Sequence, residues 1–237
     1  MLLLNRSQYA CFEGDDSAPI MFITHPSERY TEEQQVLMAQ EGGCTWIQIR
    51  MKENLTLEAA TKLVRLVEFS NRACIDDDLE IAIKSGAFTV HLGKNDMPVD
   101  EAWKIIFQRG YDDLFLVGAT ANTFEDIVDA DRRGASYIGL GPYRFTETKK
   151  NLSPILGLEG YERIMGQCRE AGLKIPVFAI GGIRYEDIGP LMNTGITGIA
   201  VSSAITQAPD PVKEMERFCA KLLKYTKKMN IDKINNL

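Results

Sequence analysis

Pro176-Val-Phe-Ala-Ile-Gly-Gly-Ile-Arg-Tyr-Glu-Asp-Ile-Gly-Pro-Leu-Met-Asn-Thr-Gly-Ile-Thr-Gly-Ile-Ala-Val-Ser-Ser203 contains one complete structural unit and the start of the next. A short apolar run ends in a glycine pair, a helical pattern follows over Tyr185 to Asn193, and Gly195 precedes a second apolar run, Gly198 to Val201. Short β-branched runs bounded by glycine read as strands, and the 3.6-residue period between them reads as a helix. Outward from this stretch the same punctuation recurs. Strands are predicted at Ile20 to Thr24, Thr45 to Ile49, Ala73 to Ile75, Thr89 to His91, Leu114 to Val117, Tyr137 to Leu140, Pro176 to Ile180 and Gly198 to Val201. Helical patterns run near Thr31 to Glu41, Leu57 to Ser70, Leu79 to Lys84, Val99 to Arg109, Phe124 to Arg133, Leu158 to Glu170, Tyr185 to Asn193 and Pro211 to Lys224. Glycines at 42 and 43, 86, 110, 134, 172 and 195 stand where a helix ends in a left-handed residue. No G-x-G-x-x-G follows the first strand, and eight βα units are the number that closes a (β/α)8 TIM barrel. The expectation is one α/β domain over residues 1–237, with the barrel at about 19–224, a short N-terminal extension and a polar C-terminal tail.

With 45% hydrophobic residues in 237, the chain can fill one large core. Five scattered cysteines suggest neither a disulfide framework nor a zinc site, which points to a reducing cytoplasm. No apolar run approaches the roughly 20 residues of a membrane span. A net charge of −6 disfavours nucleic acid as a partner. Small-molecule substrates are expected, and the outer helices of a barrel are compatible with a homo-oligomer.

Barrels carry their chemistry at the C-terminal ends of strands and in the loops beyond. Gly181-Gly182 after strand seven and Ser202-Ser203 opening a helical turn after strand eight point to a phosphate held by backbone N–H groups. Arg50 and Lys52 alternate along one strand end and project to the same side, where they suit a second anion; alone they read equally as a solvated strand end. Asp77 and Asp96, one strand apart, suit Mg²⁺ shared with substrate phosphate oxygens. Asp76 to Asp78 fit the capping of a helix just as well, and both readings stay open at this point. His91, on an apolar strand, is read as a satisfied structural histidine. The longest irregular connection, Gly141 to Gly157, follows strand six and is expected to be functional or mobile.

These segments resemble the thiamine phosphate synthase (thiamine-phosphate pyrophosphorylase) family over about Ile20 to Phe218. Gln48-Ile-Arg50-Met-Lys52 is similar to its Q-x-R-x-K strand, and Ile75-Asp-Asp77-Asp-Leu-Glu-Ile-Ala to its N-D-x-x-x-x-A segment. His91-Leu-Gly93-Lys-Asn-Asp96 matches H-L-G-x-x-D; Tyr137-Ile-Gly-Leu-Gly-Pro142 and Thr146-Glu-Thr148-Lys149 match G-L-G-P and T-x-T-K. The resemblance implies a Mg²⁺-dependent transferase. A hydroxymethylpyrimidine diphosphate loses pyrophosphate, and the ring nitrogen of hydroxyethylthiazole phosphate captures the methylene carbon, giving thiamine phosphate. It assigns Arg50, Lys52 and Lys149 to the diphosphate with Gln48 and Asp76 beside them, Asp77 and Asp96 to the metal, and Thr120 to the place of the usual serine. Thr146, Thr148, Gly182, Ser202 and Ser203 then hold the thiazole phosphate.

The chain departs from the family pattern in three places. Asp76 replaces an asparagine and is expected to repel diphosphate unless a cation offsets it. Asn122 replaces a histidine after strand five, and Arg144 in the strand-six loop offers an extra anion contact. The alternatives are a thiazole tautomerase-like enzyme, which uses that missing histidine, and a non-catalytic phosphate-ligand binder disabled by Asp76.

Overall fold

The computed structural model describes residues 17–52, 55–68, 72–145 and 154–235, with side chains up to 226. Eight parallel strands close in sequence order, β1 (Ile20–Ile23), β2 (Trp46–Ile49), β3 (Ala73–Asp76), β4 (Thr89–Leu92), β5 (Leu116–Ala121), β6 (Tyr137–Leu140), β7 (Val177–Ile180) and β8 (Gly198–Val201), with β8 pairing back onto β1. The helices between them are α1 (Glu32–Glu41), α2 (Leu57–Leu66), α3 (Leu79–Ser85), α4 (Val99–Gln108), α5 (Phe124–Arg132), α6 (Gly157–Glu170) and α7 (Ile188–Asn193). A short α8 (Ser203–Thr206) and a long α9 (Pro211–Asn235) follow β8. The expected (β/α)8 barrel is therefore the fold.

Side-chain alternation divides the interior in two. Outward residues such as Phe22, Ile47, Ile75, Val90, Val117, Ile138 and Ile199 pack against the helices in the main core. Inward residues Met21, Ile23, Trp46, Tyr137, Phe178 and Ala200 form a second cluster inside the barrel. Strands buried on both faces in this way read as continuous apolar runs rather than as alternating ones. The Trp46 ring meets Tyr137 and Phe178 edge to face at centroid distances of 4.8 and 5.1 Å, so aromatic rings plug the lumen.

Local signals set the helix starts. Thr31 caps α1 in a reciprocal box with Gln34, and Thr123 does the same for α5 with Asp126. Each such cap contributes about 1 kcal/mol. The glycines expected at helix ends, Gly43, Gly86, Gly110, Gly134, Gly172 and Gly195, all adopt positive φ. Gly42 does not: its φ is −78°, and it is there because Met215 of α9 packs onto it.

The structure moves several expected boundaries. Strand five, expected at Leu114 to Val117, is found two residues later and runs to Ala121. Its Gly118-Ala-Thr-Ala121 half has little intrinsic strand preference, and pairing with Leu92 on one side and Leu140 on the other holds it extended. Gly118 is required there because the Tyr137 ring occupies the space of a side chain. The second helix ends at Leu66 instead of Ser70. The last helix continues to Asn235, so most of what was expected as a polar tail is helical. Among the described residues no helix is long and apolar enough to cross a membrane.

Candidate active site

A cavity of about 530 Å³ opens at the C-terminal ends of the strands. Gln48, Arg50, Lys52, Asp76, Asp77 and Asp96 line one side of it. Gly182, Ser202 and Ser203 line the other, and Thr120 stands between. Thr146, Thr148 and Lys149 lie outside the described residues.

The strand register builds the first side in layers above the aromatic plug. Gln48, Asp76, His91 and Thr120 follow Trp46, Cys74, Thr89 and Gly118 by two residues, so the alternation of the strands turns them inward. His91 Nδ1 lies 3.2 Å from the Tyr137 hydroxyl and Nε2 3.0 Å from Thr120 Oγ1, so both ring nitrogens are engaged. This is the satisfied histidine expected, and it fixes the hydroxyl of Thr120 at the cavity wall.

At Asp76 the cation that the expectation required is present. Asp76 does not present a bare carboxylate to the cavity, because Gln48 Nε2 donates to one oxygen at 2.5 Å and Arg50 Nε pairs with the other at 3.0 Å. The offsetting cation is Arg50 itself, whose Nε faces the carboxylate.

Asp77 and Asp96 meet across the β3 and β4 loops. Asp77 sits at φ 68° in the left-handed region, an unusual conformation for a residue other than glycine, held as its N–H donates to His91 O at 2.8 Å. Asp96 Oδ2 accepts from Gly93 N–H at 2.7 Å, and Gly93 is glycine where a Cβ would lie only 2.8 Å from that oxygen. Burial, then the charge of Asp76, then the contact and charge of Asp96 push the Asp77 carboxyl up to about 7. Two oxygen donors that repel each other unless a cation or proton lies between them fit Mg²⁺, which takes few protein carboxylates and completes its shell with water and phosphate oxygens. Asp78 is the helix cap of this trio, accepting from Ile81 N–H at 2.8 Å.

On the far side Gly181 and Gly182 both adopt positive φ, at 96° and 68°. They also make room for the strand-six loop: a Cβ on Gly181 would meet Pro142 and one on Gly182 would meet Arg144. The glycine pair thus serves packing as well as any anion. Arg144 is a further correction. Its guanidinium forms a two-pronged pair with Asp187 at 2.6 and 3.0 Å and donates to Gly182 O at 2.6 Å, so it braces two loops instead of facing an anion. This partner lies 43 positions away, beyond the reach of any local pattern. Asn122 Nδ2 donates to Gly141 O at 2.5 Å, tying β5 to the start of the same loop.

His25, at the end of β1, was absent from the strand-end residues singled out in the sequence. Its Nδ1 lies 2.7 Å from Ser202 Oγ. The available signal was its place directly after a strand in a chain with two histidines.

The profile of the family described as thiamine monophosphate synthase matches residues 20–205. The chain belongs to this family. It is 50% identical over 202 residues to the thiamine-phosphate synthase of Bacteroides fragilis, spanning 84% of this chain and 97% of that one. The Bacteroides thetaiotaomicron enzyme of the same name is 48% identical over 202 residues, covering 84% and 94%. Among solved structures, thiamine phosphate pyrophosphorylase from Pyrococcus furiosus superposes with a TM-score of 0.73 at 30% identity, covering 88% of this chain and 97% of the other. Like the family, the chain is a transferase.

Proposed function

We propose that this chain condenses 4-amino-2-methyl-5-(diphosphooxymethyl)pyrimidine with 4-methyl-5-(2-phosphooxyethyl)thiazole, releasing thiamine phosphate and pyrophosphate. The observation that carries the reading is that two different sets of groups suited to anions line one cavity. Cations and paired carboxylates stand on β2 to β4, and glycine and serine main chain on β7 and β8. A volume near 530 Å³ suits two small ligands side by side.

In this reading the terminal nitrogens of Arg50, Lys52 and Lys149 hold the diphosphate and stabilise the negative charge that accumulates as the C–O bond breaks. Gln48 and Asp76 keep Arg50 aimed, and Thr120 lies beside the departing oxygens. Thr146, Thr148, Gly182, Ser202 and Ser203 hold the thiazole phosphate so that the ring nitrogen faces the methylene carbon. Asp77 and Asp96 would hold Mg²⁺, which supplies further charge neutralisation to the leaving pyrophosphate. No side-chain nucleophile is required. Asn122 carries no titratable group and is committed to Gly141 O, which disfavours the tautomerase alternative. Asp76 is paired with Arg50 and presents no bare carboxylate to the diphosphate, which disfavours the non-catalytic one. We place the enzyme in the cytoplasm, acting on small molecules.

Incubation of the purified protein with both substrates and Mg²⁺ is expected to give thiamine phosphate and pyrophosphate in equal amounts. No product at high enzyme concentration would overturn the proposal.

Asp76→Asn is expected to keep kcat/KM within about threefold of the parent or to raise it. Asparagine can accept from Arg50 Nε and donate to Gln48 once the glutamine amide turns over. Because the charge of Asp76 helps to raise Asp77, the acid limb of the rate profile should also move to lower pH, measured at saturating Mg²⁺. A severe loss would assign Asp76 a role of its own.

A further inference from the structure

We propose that His25 is a positioning residue for the phosphate-binding turn after β8, holding the Ser202 hydroxyl by donation from Nδ1 while Nε2 accepts from Thr206. The inference rests on the reading above that Ser202 and Ser203 hold the thiazole phosphate.

The hydrogen-bond geometry allows one complete assignment. Ser202 Oγ lies 2.7 Å from Ile23 O, which can only accept, and 2.7 Å from His25 Nδ1. The hydroxyl has one proton, so it goes to Ile23 O, and the second bond forms only if Nδ1 carries a hydrogen. Nε2 is then bare and accepts from Thr206 Oγ1, 3.4 Å away. Burial, then the charge of Arg50, opposed by Glu32, holds the imidazole below its ordinary pKa and so in this neutral form. With its proton committed to Ile23 O, Ser202 meets an anion through its main chain, and its hydroxyl acts as a strut.

The main chain that carries the ring is itself fixed. Gln35, fully buried, accepts from His25 N–H at 3.1 Å and donates to His25 O at 2.8 Å. Arg29, four residues on, donates to Thr206 O and Ala208 O at 3.3 and 3.2 Å. The β1–α1 loop therefore grips both ends of α8, across 177 positions of sequence. A small displacement of such a strut misaligns the groups it supports.

The test uses the full-length protein and the thiazole phosphate as the titrant. His25→Leu should weaken its binding roughly tenfold, while KM for the pyrimidine diphosphate stays within about twofold. His25→Asn, which keeps a donor near Nδ1, should bind within about threefold of the parent. Because His25 acts through Ser202, adding Ser202→Ala to His25→Leu should cost nothing more. Parental binding by His25→Leu, or His25→Asn as weak as His25→Leu, would overturn the proposal. A parent protein that binds no thiazole phosphate would instead overturn the functional reading. Independently of any variant, the imidazole ¹⁵N spectrum of a chain with two histidines should show His25 neutral and protonated at Nδ1. Protonation at Nε2 alone would overturn the positioning role with no ligand present.

Discussion

Replacing Asp77 with asparagine is expected to lower Mg²⁺-dependent turnover by roughly a hundred- to a thousandfold, the range for losing one group that stabilises transition-state charge. Asparagine is the cleaner choice over alanine. It tolerates the left-handed backbone at φ 68°, whereas alanine there adds about 1 kcal/mol of strain unrelated to the metal. The same variant should be more heat-stable than its parent without Mg²⁺ above pH 7. A carboxyl raised to about 7 in the folded chain costs nothing below its ordinary pKa of 3.8. The cost grows as pH rises through the interval and is complete above it. Mg²⁺ affinity of the parent should accordingly fall as pH drops below 7, where a proton occupies the place of the ion. Thermal unfolding with and without Mg²⁺, with rates at several pH values, reads all of this. Parental turnover in Asp77→Asn would remove the metal assignment, and unchanged metal-free stability would remove the account of its repulsion.

Arg50→Ala is expected to lose activity by a similar factor, with KM for the pyrimidine diphosphate most affected. The loss has two sources that can be separated. One is the cation facing the diphosphate. The other is Asp76, left largely buried without its partner; removing one member of such a pair typically costs about 3–5 kcal/mol. Combining Arg50→Ala with Asp76→Asn should restore most of the stability measured by chemical denaturation, yet leave activity at the level of Arg50→Ala alone. Recovery of activity in the double variant would show that Arg50 matters only as the partner of Asp76.

Features set by local chemistry were legible in the sequence. Gly-Gly after Ile180, Ser-Ser after Val201 and the Q-x-R-x-K strand at Gln48 each mark a strand end, and closure of the barrel gathers such ends at one rim. What escaped depends on which strands become neighbours. Asp76 reads as repulsive to diphosphate because a carboxylate stands in the place of an asparagine, whereas its bonding neighbours, Gln48 and Arg50, come from the adjacent strand and its end. Arg144 looked available for an anion until α7 was preceded by a turn that brings Asp187 beneath it. His25 acquires meaning only when β8 returns to pair with β1. The weak strand Gly118 to Ala121 shows the same limit at the level of fold, since its partners hold it extended and its own residues do not.

The aromatic plug of Trp46, Tyr137 and Phe178 bears on traffic as well as on packing. With the lumen stopped below, the cavity formed by the described residues opens at the strand ends. In the proposed condensation two reactants and two products share that opening, so ordered addition and release is the expected kinetic pattern. Product-inhibition kinetics would read that order, and random addition would show that the shared opening does not impose one.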